Sequence, residues 1–255
     1  MPFTVAHAAA VLPLHSWTRR RLPLSALMIG SMAPDFAYFV SYASNRMVTH
    51  SLKGLLTFSL PTGLAVWLVF VWLLERPTIR LLPDAWRTRL APTGRIDASL
   101  LLRAALAIVL GAATHLAWDA FTHRSTAITE LWPSLRDPVF GALPLYQVLQ
   151  YASSAFGMAA LALWAFRLRA APPSATAPPG VPLRTRLVSA GLFVLSSCVF
   201  AFGYYFTHAG FGLDTRIFFL AIGGMTGAAA GWCAVAVWIR LRPQAPAQPA
   251  DTAGW

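Results

Sequence analysis

The sequence predicts an all-α fold: a polytopic transmembrane helical bundle with five clear spans behind a broken N-terminal helical segment. Three observations carry that prediction. Five apolar runs approach the roughly 20 residues that a helix needs to cross a bilayer. Of the 255 residues, 57% are apolar and 11% charged, where a soluble domain has about a quarter charged. The arginines concentrate between the apolar runs. A water-soluble chain of this length could not hide so much apolar surface, whereas lipid covers it in a membrane protein.

In chain order, residues 3–14 are apolar, hold His7 and are too short to span. Residues 22–43 read as two short helices meeting at Pro34, with interruptions at Gly30-Ser31 and Pro34-Asp35. Broken helices at membrane depth are tolerated where they line a cavity, and Asp35 would lie at such a break. An acid beside a helix-starting proline explains Asp35 equally well. Thr49-His50-Ser51 precedes the first span, about 54–74, which Ser51 can cap. An Arg- and Pro-rich loop leads to the second span, about 99–118, whose Arg103 can snorkel to the interface. Residues 119–143 are a polar connection to the third span, about 144–166. Pro172-Pro173, Pro178-Pro179-Gly180 and Pro182 mark a flexible Pro/Ala-rich linker over about 170–183. The fourth and fifth spans cover about 187–206 and 217–239. Residues 1–242 read as a single transmembrane helical domain and 243–255 as a disordered tail.

The net charge of +11 comes almost wholly from arginine, since Lys53 is the single lysine. Arginines set between apolar runs fit membrane loops and anionic headgroups, not nucleic acid. The expected partners are therefore membrane lipids. Loops 75–98 and 167–186 carry Arg76, Arg80, Arg87, Arg89, Arg95, Arg167, Arg169, Arg184 and Arg186. The positive-inside rule makes their side cytoplasmic, while Arg19–Arg21 argue the other way unless residues 22–43 also span. Cys198 and Cys233 fall inside apolar runs and read as small buried hydrophobes. No basic region precedes the first apolar residues, so no cleavable signal is expected.

The end of the second span holds the chemistry. His115, Asp119 and His123 are four residues apart and share one helix face. An acid near a helix C-terminus faces the negative end of the dipole and needs something positive beside it. A divalent metal satisfies that need; so would Arg124, and His115 could instead bond between helices. His50 opens one span where His115 and Asp119 close the next, and antiparallel neighbours bring such ends together. With Asp35 they form a mixed His/carboxylate set suited to zinc, manganese or iron. His208 has no partner at helical spacing and reads as interfacial.

These residues also carry a resemblance. The opening Met-Pro-Phe-Thr-x-x-His7, then Gly30-Ser31-Met-Ala-Pro34-Asp35-Phe, Thr49-His50-Ser51 and His115-x-x-x-Asp119 resemble a bacterial integral membrane family, domain of unknown function 4184. More distantly, the motif order resembles predicted membrane-bound metal-dependent hydrolases and zinc-dependent phospholipase C. That resemblance implies a divalent metal, zinc above all, with His7, Asp35, His50, His115 and Asp119 as ligands or near-ligands. It implies a multi-pass protein of the bacterial inner membrane that hydrolyses phosphoester or lipid-like substrates. The contrasting expectation is a non-enzymatic structural or regulatory membrane protein keeping a polar cluster. A transporter fits less well, because no internal repeat is visible.

Overall fold

The computed structural model describes residues 4–40, 46–139, 141 and 143–242. The tail expected at 243–255 and the first three residues of the opening motif lie outside them. The chain is helical, and five helices are long and apolar enough to cross a membrane. In chain order the principal elements are α1 (Val11–Trp17), α2 (Leu24–Met32), α3 (Leu52–Leu81), α4 (Ala98–Thr122), α5 (Leu145–Leu168), α6 (Leu183–Thr207) and α7 (Leu213–Leu241). A 3-10 helix, Thr4–Ala9, precedes α1, and another, Ala33–Phe36, follows α2. One antiparallel two-residue pair, Pro138–Val139 with Leu143–Pro144, lies in the loop before α5.

Local chemistry sets the helix boundaries. Ser51 Oγ accepts from the Gly54 amide at 3.0 Å and caps α3. Asp97 Oδ1 does the same for α4, accepting from the Leu100 amide at 2.7 Å. A π turn at Leu55–Ser59 runs up to Pro61, where a regular helix would press the proline ring against the carbonyl four residues back. The 3-10 helix at Ala33–Phe36 forms where Pro34 cannot continue the α2 hydrogen bonding.

The described residues form two compact units, one from Met1–Trp72 with Pro83–Pro178, the other from Leu73–Leu82 with Pro179–Trp255. In the first, Val11, Leu27, Trp67, Ala104, Ala107 and Ile108 are fully buried together. The expected interruption at Gly30-Ser31 is not one, because α2 runs through both. Gly30 is there for closeness: a Cβ on it would lie 2.6 Å from the Cα of Ile108. Gly111 answers from α4, where a Cβ would meet the Ser31 amide nitrogen at 2.7 Å. Two backbones in direct contact make α2 and α4 a tight pair, as small residues do between membrane helices. Gly157 of α5 likewise admits the backbone of Ala6, which seats the His7 segment.

In the second unit α6 and α7 pack along Gly223, Gly227 and Gly231. Ser196 Oγ donates to the Gly227 carbonyl at 2.9 Å, and Trp232 Nε1 donates to Thr78 Oγ1 at 2.6 Å. The Pro/Ala-rich segment between α5 and α6 has turns and no helix or strand. Within the first unit its Ser174 amide donates to the Thr88 carbonyl, and its Pro178 carbonyl accepts from Arg87, both at 2.7 Å.

Candidate metal centre

All five residues singled out from the sequence meet in the first unit. The 3-10 helix Thr4–Ala9 supplies His7, and the one after α2 supplies Asp35. His50 comes from the turn before α3. His115 and Asp119 lie one turn apart on α4, which continues to Thr122, four residues beyond the expected end of the span. His115 is 0% exposed, His7 and Asp35 4%, and Asp119 5%. Carboxylates this deep cost several kcal/mol unless something positive or hydrogen-bonding faces them.

The facing atoms are close. Asp35 Oδ1 is 3.2 Å from His50 Nε2, and His50 Nε2 is 3.7 Å from Asp119 Oδ2. Asp119 Oδ2 is 3.5 Å from His115 Nε2, which is 3.7 Å from Asp35 Oδ1. Two donors on one tetrahedral zinc ion, each about 2.1 Å from it, lie about 3.4 Å apart. These four neighbouring separations lie in the range of donors that could form a cage around a cation. His7 Nε2 reaches the other carboxylate oxygen, Asp119 Oδ1, at 3.6 Å. Its ring stacks on that of His115 with centroids 4.0 Å apart.

Three of the donor residues are aimed by a further contact. His115 Nδ1 is 2.8 Å from the Ser31 carbonyl. A carbonyl only accepts, so Nδ1 carries a proton and donates, and Nε2 is left facing the two carboxylates. Ser31 stands there because Gly30 and Gly111 let the two backbones touch. Thr4 Oγ1 donates to Asp35 Oδ2 at 2.7 Å and leaves Oδ1 for the cage. Thr49 Oγ1 lies 2.9 Å from His50 Nδ1 and can fix the other ring in the same way. His115 Nε2 and both ring nitrogens of His7 are buried with no hydrogen bond among the described residues, a rare state for buried polar atoms. Burial, and then the neighbouring His115, push the His7 imidazole down to about 4, so at neutral pH it is an uncharged lone-pair donor. Burial opposes ionisation of Asp35, but the His50 hydrogen bond and the nearby histidines hold its carboxyl below the usual range.

Two overlapping triads form, His7 with His115 and Asp119, and Asp35 with His50 and His115, and within each triad the donor atoms lie within 4.8 Å of one another. The buried cluster could hold a metal ion, and its three imidazoles and two carboxylates suit a borderline divalent cation. Sequence reasoning assigned no role to several residues that support it. Thr4, Ser31 and Thr49 sit inside the motifs, yet single residues in a motif do not say which atom they hold. His123, four residues past Asp119, places Nδ1 3.4 Å from Asp119 Oδ1, as helical spacing alone allows. His208 lies in the second unit, outside this cluster. It stacks on Phe219 at 3.5 Å, and its Nδ1 donates to the Tyr204 carbonyl at 2.8 Å.

No curated protein matches the chain, and no solved structure does. A family model does match, over residues 1–237, a stretch that includes all five cluster residues and reaches into α7. The chain belongs to the family described as Domain of unknown function (DUF4184).

Proposed function

We propose that this chain is a metal-dependent hydrolase of the bacterial inner membrane, with zinc held by Asp35, His50, His115 and Asp119 and with His7 completing the set. The observation that carries this reading is the four-atom cage at metal-like separations, three of whose residues have a second contact directing the donor atom. Bound there, the ion would acidify a water molecule and polarise the scissile group. Asp35 and Asp119 supply the negative charge that fixes the cation. Catalysis would need one position left to water, so His7 would then stay off the metal, where its uncharged Nε2, beside Asp119 Oδ1, would accept the water's proton.

The substrate class is a phosphoester or lipid-like molecule arriving from the membrane interface. Met47, Val48 and Leu52 flank His50 and are exposed apolar side chains, an edge that welcomes an amphiphile. The depth of the cluster favours a second reading. With four of its members at most 5% exposed, the centre also fits a structural or regulatory metal site without turnover.

Turnover separates the two readings. Protein stripped with a chelator and reloaded with zinc is assayed on bis(4-nitrophenyl) phosphate and on a fluorogenic phospholipid in mixed micelles. The hydrolase reading predicts product release that vanishes on chelation, returns with zinc and is lost in Asp35→Ala. Zinc-loaded protein that turns over neither substrate class leaves the non-enzymatic reading standing.

A further inference from the structure

At the far end of α5 from the cluster, the first unit carries a second feature that hydrolysis does not use. A shallow groove of roughly 420 Å³ is lined by Ala85, Arg89, Phe166, Arg167, Arg169 and Ala170. Three of its six lining residues are arginines and none is acidic. Phe166 and the two alanines give it an apolar floor. From Gln150, beside the cluster, to Phe166 the helix rises about 24 Å, at roughly 1.5 Å per residue.

The groove is held in shape. Trp86 Nε1 donates to the Ala165 carbonyl at 2.8 Å and ties the short helix Asp84–Arg87 to α5. The Arg169 guanidinium lies 5.1 Å from the centroids of both Trp86 and Phe166, which orients it by cation–π attraction. Arg89 Nε donates to the Arg169 carbonyl at 3.3 Å, which ties the two groove-lining arginines together. Local acids are engaged elsewhere. Asp84 pairs with Arg87 at 3.0 Å, and Asp97 caps α4. Arg89, Arg167 and Arg169 have no acidic partner among the described residues.

We propose that this groove binds an anionic phospholipid, its phosphate held by Arg89, Arg167 and Arg169 and the start of its acyl chain lying on Phe166. Three arginines without an acidic partner among the described residues, lining a groove with an apolar floor, complement an anionic headgroup attached to hydrocarbon. The position supports the same occupant: the groove lies at the end of a span-length helix, beside Trp86, in loops that the positive-inside rule assigns to the cytoplasmic side.

The test is native mass spectrometry of the purified full chain in mixed micelles with equal amounts of phosphatidylglycerol and phosphatidylcholine. Wild type should retain phosphatidylglycerol preferentially. Arg167→Gln, whose side chain makes no hydrogen bond among the described residues, should lower that preference about fivefold. The triple change Arg89→Gln, Arg167→Gln, Arg169→Gln should abolish it. The charge-matched triple change Arg19→Gln, Arg20→Gln, Arg21→Gln should leave it intact. Soluble glycerol 3-phosphate at matching headgroup concentration should fail to displace the lipid. A wild type without preference, equal losses in the two triple variants, or displacement by soluble glycerol phosphate would overturn the proposal.

Discussion

The pairs α2–α4 and α6–α7 use the same packing device for different ends. Both rest on glycines where an added Cβ would strike the neighbouring backbone: Gly30 and Gly111 in the first unit, Gly223 and Gly227 in the second. In the second unit the close approach buries only a serine-to-carbonyl bond, from Ser196 to Gly227. In the first it sets the Ser31 carbonyl against His115 Nδ1. The two histidines show the difference most clearly. His208 satisfies its Nδ1 on its own helix and covers its ring with Phe219. His115 takes its Nδ1 partner from another helix, and its Nε2 faces two carboxylates. Close helix packing is therefore a scaffold, and it becomes a site only where ionisable side chains converge beside it.

The largest way to break this comparison is to separate the first pair. Gly111→Val would drive side-chain atoms into the Leu27 carbonyl and the Ser31 amide. Backbone cannot yield as a side-chain tip can, so a loss of several kcal/mol is expected, at or above the upper end of the usual ~1–3 kcal/mol for overpacking. Thermal unfolding in detergent should show a large drop in midpoint, with zinc affinity falling alongside. A variant that keeps both would mean the contact does not hold the site.

A finer cut removes one supporting contact and leaves the packing alone. Thr4→Val keeps the side-chain shape but loses the hydroxyl that donates to Asp35 Oδ2. Losing such an outer contact typically weakens metal binding about 10- to 100-fold. Competition with a chromophoric chelator should show a loss in that range, with a drop in unfolding midpoint smaller than that of Gly111→Val. Unchanged zinc affinity would show that Asp35 is not aimed by Thr4.

The smallest effect should come from the second pair. An added Cβ at Gly224 would meet only the Ala201 Cβ at 3.7 Å, an ordinary contact. Gly224→Ala should shift stability by less than about 1 kcal/mol, and helix propensity pushes toward gain. A large destabilisation there would mean that the contact with α6 is tighter than this spacing implies.

Much of the fold was legible because bilayer thickness fixes span length. The five runs emerge as five long helices, and the first two start a residue or two before the expected positions because their capping groups, Ser51 and Asp97, lie outside the apolar stretch. The cluster members were legible through their motifs and through the i, i+4 spacing of His115 and Asp119. Their supports were less so. The Ser31 contribution is a backbone carbonyl, which no side-chain pattern reports. Gly30 looked like a break because glycine weakens an isolated helix, whereas here contact with Ile108 gives it a packing reason. Composition reported the Pro-rich segment after α5 as a linker but not its hydrogen bonds to Thr88 and Arg87, which depend on partners far away in sequence.

The central claim is that the buried cluster is a metal centre and the His208 environment is not. Inductively coupled plasma mass spectrometry on the purified chain, after equilibration with zinc and desalting, tests it directly. The account predicts about one zinc per chain in the wild type and in His208→Ala. Zinc should be lost together from His115→Ala and Asp119→Ala, with all proteins matched for folded state by size-exclusion profile and helical circular dichroism. A wild type that retains no zinc, manganese or iron, or folded His115→Ala and Asp119→Ala that keep full metal content, would contradict it. The five residues would then be a hydrogen-bonded polar cluster, and the hydrolase reading would fall with the metal.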